Sequence, residues 1–499
     1  MADDWDPLLR DLEQRRAAAR AMGGPERLGR QHAAGRLDAR QRVERLLDPG
    51  SFQELGTLVG GAAAPADALV AGFGRIEDRP VLVGAEDFSV LGGSIGPGAA
   101  DKRTRLAQLA GQERVPLVLL LEGAGHRPTN ALERQRRAPN DLQALAELSG
   151  RVPLLCAVLG ASAGHGALAA PLADFAVMTR DASLFSAGPP LVEAALGERV
   201  TKQELGGPAV HVERSGVVHD LADDDAQALD TLRRYLAYFP SNAWSPPPRR
   251  EGGDGGPRRL DAILALVPPD ARRPYAMRRL LAMLVDEGTL FEVQARWGAA
   301  LVTALAFLGG RSVALVANDP SARAGAIDAA AAAKAARFLE VAGAFHLPVV
   351  LLADNPGVMP GSQAEREGAL RQAARLFAAQ HRLRVPKLHV TLRKAFGFGS
   401  SVMAMNPCDG QTLALAFPGA TLGAMPAASG GAAAGADEAT RARLAEEERA
   451  GPWRHAESLA FDEVIDPRDL RNALLRGLEL AAGRDTGPLE PVAHAGILP

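Results

Sequence analysis

The chain repeats itself, and this limits what it can fold into more than any other feature. Val81 opens VLVGAED and Val313, 232 residues on, opens VALVAND; Val115 opens VPLVLLLEGAG and Leu347 opens LPVVLLADNPG at the same offset. Lys102 and Arg105 fall on Lys334 and Arg337. Farther along the offset becomes 233: Arg151-Val152-Pro153 falls on Arg384-Val385-Pro386, and Gly164-His165-Gly166 on Gly397-Phe398-Gly399. So long a register with one residue of drift marks a duplication, and a period of half the chain makes each copy a domain rather than a solenoid unit. Ser245 to Pro257 reads SPPPRREGGDGGP, which suits neither helix nor strand. Residues 246–257 therefore read as a linker between an N-terminal domain, 1–245, and a C-terminal domain, 258–499.

Each copy alternates apolar strand, Ala-rich helix and apolar strand. VPLVLLL and LPVVLLA are continuous runs, as expected for strands buried on both faces, and DAAAAAKAARF from Asp328 is a strong helix former. The pattern implies a duplicated α/β fold with right-handed crossovers. Ahead of the first copy, the Arg-, Glu- and Ala-rich stretch to about Leu47 reads as one or two exposed helices, with Leu8, Leu9 and Leu12 on one face.

Composition removes whole classes of function. Across 499 residues, 56 Lys+Arg stand against 59 Asp+Glu, which excludes a strongly basic nucleic-acid platform and an acidic disordered tail. Two cysteines, Cys156 and Cys408, are too few for a disulfide framework or a four-cysteine zinc site. The charged N-terminus has no apolar core of a signal peptide, and no run approaches the ~18 apolar residues of a membrane helix. A soluble cytoplasmic protein is the expectation.

Gly160-Ala161-Ser162-Ala163-Gly164 matches the G-x-S-x-G nucleophile elbow, with Asp174 and His211 or His219 downstream as triad partners. The repeat argues against it, because Ser162 falls on Ala395. What the copies share is a small-residue turn after a strand: Gly164-His165-Gly166-Ala167 and Gly397-Phe398-Gly399-Ser400. Consecutive backbone amides at such a turn can hold a developing oxyanion, although glycines there also serve close helix–strand packing. No H-x-x-x-H or H-E-x-x-H pair points to a metal. His126 and His165 stand near the turns as hydrogen-bonding residues. Lys102, Arg105, Lys334 and Arg337 read as solvated helix faces, with phosphate contact as the alternative.

Between about Gly35 and Leu480 the sequence resembles the carboxyltransferase (β) subunits of biotin-dependent acyl-CoA carboxylases of the propionyl-, acetyl- and methylcrotonyl-CoA type. The resemblance rests on GRLDARQRVERLLDPGSFQELG from Gly35, EDFSVLGGSIG from Glu86, TKQELGG from Thr201, SGVVHDLADDDAQAL from Ser215 and YFPSN from Tyr238. In the second half it continues with VDEGTLFEV from Val285, KAARF from Lys334, NPGVMPGSQAE from Asn355 and RKAFGFG from Arg393. It implies a duplicated crotonase-like spiral of ββα units, assembled as a homo-hexamer, a trimer of dimers. It also implies transfer of a carboxyl group from carboxybiotin, borne by a separate carrier protein, to the α-carbon of an acyl-CoA. By resemblance, the amides of Gly164, His165, Gly166 and Ala167 hold the thioester oxygen and those of Gly397, Phe398, Gly399 and Ser400 the ureido oxygen of biotin. Phe396 joins the second turn on the biotin side, while Gly125, His126, Arg127 and Ser401 face the acyl-CoA. Biotin carboxylase and carrier functions are then expected from a partner chain, with no metal in this one.

The departures from the family lie at the turns. His165 and Phe398 stand where small residues are usual, Glu122-Gly123-Ala124-Gly125-His126-Arg127 replaces a DSGGAR-like segment, and the Gly/Ala-rich run from Ala428 replaces a more apolar one. The bulkier side chains are expected to reshape the pockets, with His165 as a further donor to an enolate. A biotin-dependent decarboxylase subunit, a non-catalytic carboxylase subunit and a serine hydrolase using Ser162 are the alternatives.

Overall fold

A computed structural model describes residues 5–127, 140–252, 254–485, 489–491 and 497. The chain divides into two compact units: Met1–Ala237 with Ser241–Trp244 and Pro491–Pro499, and Tyr238–Pro240 with Ser245–Glu490.

The first unit carries strands β1 (Gln53–Leu55), β2 (Leu69–Ile76), β3 (Arg79–Glu86), β4 (Leu117–Leu121), β5 (Leu154–Val158), β6 (Ala161–Ala163), β7 (Phe175–Thr179), β8 (Ser183–Phe185) and β9 (Asp220–Ala222). Its main sheet runs β1-β2-β3-β4-β5-β7-β9, and β6 pairs with β8. The β1–β2 and β2–β3 pairs are antiparallel and the rest are parallel. The LVLLL of β4 and LLCAV of β5 are buried throughout, as strands covered on both faces require. The helix Pro97–Glu113 opens with proline in its first turn and stops at Arg114, which is left-handed. Leu106, Ala107 and Ala110 of that helix join Leu145 and Leu148 of the helix Asp141–Leu148 in the core against the sheet.

The second unit repeats the plan with β10 (Phe291–Val293), β11 (Leu301–Leu308), β12 (Arg311–Asn318), β13 (Val349–Asn355), β14 (Lys387–Phe396), β15 (Leu413–Ala416), β16 (Thr421–Gly423) and β17 (Glu463–Val464). The order is β10-β11-β12-β13-β14-β15-β17, with β16 on β14. The Ala-rich segment forms the helix Ala329–Ala344, capped by Asp328, whose carboxylate accepts from Ala331 N. The copies agree in fine detail. Three successive left-handed residues, Leu91–Gly93, recur as Arg323–Gly325, and the isolated bridge Ile95–His126 recurs as Ile327–Val358. They part at one strand. The residues of β5 and β6 correspond to the single strand β14, and the break between them falls at Leu159–Gly160.

The duplicated α/β fold is as expected, but the N-terminal stretch is not. It forms three helices, Asp6–Arg20, Pro25–Ala33 and Ala39–Leu46, and the third is not exposed: Ala39, Arg42, Val43 and Leu46 are buried. The Pro/Gly segment also has definite contacts within the second unit, where Arg250 N donates to Gly310 O and Arg471 Nε to Gly256 O. No helix among the described residues is long and apolar enough to cross a membrane.

Candidate active site at two glycine turns

β6 ends at Ala163 and runs into a short helix, Gly164–Ala167; β14 ends at Phe396 and runs into the helix Gly397–Val402. Each helix opens on a glycine with positive φ, +60° at Gly164 and +52° at Gly397, a conformation in which a side chain is strained. Neither start carries a side-chain cap, so among the described residues the N-cap side chain leaves open the leading amides, which a helix cannot satisfy itself. Close packing requires the second glycine of the second turn and favours it in the first. A Cβ on Gly166 would lie 3.1 Å from Glu86 Oε1, and one on Gly399 would lie 2.1 Å from Asn355 Oδ1 and 2.7 Å from Gly357 Cα. The loop after β4 seats against the first turn, with Ala163 N donating to Gly123 O at 3.0 Å.

Ionisable groups support the first turn. His165 Nε2 bonds Asp141 Oδ1, and Asp141 Oδ2 accepts from Arg103 Nε at 2.7 Å. Arg103 Nη1 donates to Glu86 Oε1 at 3.0 Å, and Glu86 Oε2 accepts from Glu122 N at 2.8 Å. The Glu122 carboxylate in turn accepts from Arg42 at 2.5 Å and Arg36 at 2.6 Å, while Arg42 Nε reaches Asp225 at 2.8 Å. Burial raises the pKa values of Glu86 and Glu122 against the pull of their arginines. At Asp141 burial also pushes upward, but the His165 hydrogen bond and Arg103 outweigh it and hold the carboxyl at about 2.

Beneath the second turn the parts are mostly neutral amides. Asn355 Oδ1 accepts from Gly357 N at 3.0 Å, and Asn318 Oδ1 accepts from both Asp354 N and Asn355 Nδ2 at 3.1 Å. Asn318 Nδ2 donates to Gly325 O at 3.1 Å. The buried acid here is Asp354, paired with Arg393 at 2.8 Å; Arg393 also donates to the carbonyls of Pro268, Asp270 and Arg273. Ser400 Oγ donates to Gly397 O at 2.6 Å. Phe396 lines a cavity of about 810 Å³ with Leu422, Gly423, Met425 and Trp453, within the size range of small-molecule sites.

Several sequence expectations are corrected. Lys102 and Lys334 do not lie on solvated helix faces. Both are buried, Lys102 Nζ donating to Gly56 O, Ala66 O and Leu69 O and Lys334 Nζ to Gln294 O and Trp297 O. Burial lowers them to about 8 and about 7. Ser162 is buried in β6 and its hydroxyl has no hydrogen-bond partner among the described residues, while His211 bonds Leu184 O and His219 Nδ1 accepts from Ala176 N. Among the described residues, neither histidine expected as its base reaches it. His165 is only 14% exposed with Nε2 on Asp141, so that nitrogen is not open to an enolate. Arg127 is bound to Asp67 at 2.7 Å and to Ser94, which holds Gly125 and His126 in place. Phe398 turns outward, 41% exposed, against Phe377, and Ser401 Oγ donates to Asn406. Sequence reasoning missed Arg42, Glu86, Arg103 and Asp141. Arg42 carried a signal, since Ala39, Arg42, Val43 and Leu46 share one helical face.

Comparison with known proteins agrees with this architecture. The carboxyl transferase domain family matches residues 30–488. The chain is 34% identical to the carboxyltransferase subunit of propionyl-CoA carboxylase from Haloferax mediterranei, across 94% of this chain and 95% of that one. It is 32% identical to the α subunit of methylmalonyl-CoA decarboxylase from Veillonella parvula, across 95% of each. The crystal structure of the transcarboxylase 12S hexamer with hydrolysed methylmalonyl-coenzyme A superposes with a TM-score of 0.89 at 33% identity, covering 98% of both chains. The duplicated crotonase-like fold expected from the motifs is therefore the fold found. With a family match over nearly its whole length, the chain belongs to the carboxyl transferase domain family and is a carboxyltransferase.

Proposed function

We propose that this chain moves a carboxyl group between biotin borne on a partner carrier protein and the α-carbon of an acyl-CoA, working as a homo-hexamer. The observation that carries the reading is the recurrence, 233 residues apart, of a helix start that opens on a positive-φ glycine and has no side-chain cap. A reaction that develops negative charge on two oxygens needs two such sets of donors. The amides of Gly164–Ala167 hold the thioester oxygen as charge builds during proton removal; each such donor is worth ~3–4 kcal/mol in the transition state. Gly125, His126 and Arg127 form the wall beside it. The amides of Gly397–Ser400 receive the ring oxygen of biotin, with Phe396 and the adjoining cavity holding the head-group and Ser401 bordering the acyl chain. When bound, carboxybiotin supplies the CO2 and the base for the α-proton. Accordingly the turns contribute placement and charge stabilisation rather than a side-chain nucleophile.

The test runs the reaction backwards. Purified protein is incubated with free biotin and malonyl-, methylmalonyl- and longer 2-carboxyacyl-CoAs, and carboxyl loss is followed by mass spectrometry. Biotin-dependent loss from one thioester is expected and names the acyl group. No loss from any of them, with the oligomer intact, overturns the reading in favour of a non-catalytic subunit.

A further inference from the structure

The first turn carries a pair of histidines that the second lacks. His126 and His165 meet edge to face with ring centroids 4.5 Å apart, where the second unit has Val358 and Phe398. The flanking backbone hydrogen bonds are the same in both. Ile95 N donates to Gly125 O and Arg127 N to Ile95 O; Ile327 N donates to Gly357 O and Met359 N to Ile327 O. Below the histidines runs the chain Asp141–Arg103–Glu86. At the 232-residue offset the buried Asp141, Ala144 and Leu148 of one helix fall on the buried Ala373, Leu376 and Gln380 of the helix Ala369–His381, so the residues corresponding to Asp141, Arg103 and Glu86 are Ala373, Ala335 and Asn318. Ala373 and Ala335 are fully buried, so the fold packs these positions without any charge. A buried ion pair is commonly no more stabilising than the apolar residues that could replace it. The charges therefore serve what stands above them. Asp141 fixes the His165 ring, and His165 backs His126, which is exposed beside the turn.

Building on the carboxyl-transfer reading, we propose that His126 is a catalytic residue whose imidazole donates a hydrogen bond to the thioester oxygen of the acyl-CoA, alongside the turn amides. Asp141, acting through His165, is its positioning residue. Partial burial and His165 lower the pKa of His126, so its ring is neutral at pH 7 and donates as a polariser rather than as an acid.

The test uses the full chain with free biotin and the best 2-carboxyacyl-CoA of the panel. His126→Ala is expected to lower kcat about 100-fold, the scale of one oxyanion donor, while KM moves less than about 3-fold, the mark of an interaction made in the transition state. His126→Gln, which keeps an N–H donor, should regain about 10-fold of that loss. Asp141→Asn should lower kcat about 10-fold beside His126 but by less than about 2-fold in the His126→Ala background, because a positioning residue has nothing left to position. A His126→Ala enzyme with kcat within about 3-fold of wild type, or a loss confined to KM, overturns the catalytic role. An equal loss from Asp141→Asn in both backgrounds overturns the positioning role. If the unaltered protein turns over no thioester at all, the carboxyl-transfer reading itself has failed, which is a different result.

Discussion

Behind the first turn, Glu122 is met by Arg42 and Arg36 from the N-terminal segment; behind the second, Asp354 is met by Arg393, four residues ahead of Gly397 in sequence. The positions correspond: Glu122 falls on Asp354, and Arg393 falls on Gly160, where the strand of the first copy breaks. A Cβ on Gly160 would lie 2.5 Å from Glu122 Oε1, so the glycine makes room for a carboxylate that the second copy neutralises in place. The duplicated fold thus keeps a buried acid at each turn while its counter-charge comes from a different part of the chain. This explains why the helix Ala39–Leu46 is packed in, although its composition reads as surface.

The largest test of that comparison is to remove each arginine. Arg42→Met takes away the arginine that Asp225 pairs with and leaves Glu122 to Arg36 alone, and Arg393→Met leaves Asp354 to Lys394 at 3.5 Å. Each should cost up to about 3–5 kcal/mol, the bound set by a wholly uncompensated buried charge, seen as a fall in Tm; an Arg42→Met protein as stable as wild type would make the N-terminal helix incidental. The second glycines come next. Gly399→Ala forces a Cβ onto Asn355 and should cost about 2–3 kcal/mol, whereas Gly166→Ala, with more room, should cost about 1 kcal/mol; equal losses in thermal unfolding would erase this asymmetry between the turns.

A smaller effect concerns pH. Lys334 has a folded pKa of about 7 against an ordinary 10.5 because burial disfavours its charged form. Between those values the unfolded chain holds more protons than the folded one, so stability rises with pH above 7, by at most about 1.4 kcal/mol per unit. Lys334→Met should flatten that slope in Tm measured from pH 7 to 9.5. The smallest change is expected when the first turn is given the foundation of the second. The triple variant Glu86→Asn, Arg103→Ala, Asp141→Ala should stay within about 1 kcal/mol of wild type, while Arg103→Ala alone should cost about 3–5 kcal/mol. A triple variant as unstable as the single one would show that the fold itself needs those charges.

The architecture was legible because repetition is a property of order along the chain. VLVGAED and VALVAND announced β3 and β12, and the drift to 233 brought Gly164 and Gly397 into register before any geometry was known. The supports of the turns were not legible, for a physical reason. Glu86, Arg103 and Asp141 lie 17 and 38 residues apart, at no helical or strand period, and meet only because β3, the helix Pro97–Glu113 and the helix Asp141–Leu148 converge. Lys102 and Lys334 misled in the opposite sense. A lysine on an amphipathic pattern reads as solvated, yet here the neighbouring loops turn carbonyls inward to receive it. The alanines flanking Lys334 were the available sign, since a helix face built of alanine has no room for water beside it.

The paired contacts of Ile95 and Ile327 across their loops have one more consequence. Residues 126 and 358 each sit between two backbone hydrogen bonds that depend on no side chain, so the main chain there keeps its path whatever residue is present. Such a position is an interchangeable socket. One copy holds an exposed imidazole in it and the other an isopropyl group packed on Ala329, Ala364 and Ala369, with the same two backbone hydrogen bonds on either side. Val358→His would offer the second turn the group that the first already has, giving engineers a way to pass chemistry from one half of a duplicated enzyme to the other without redesigning either.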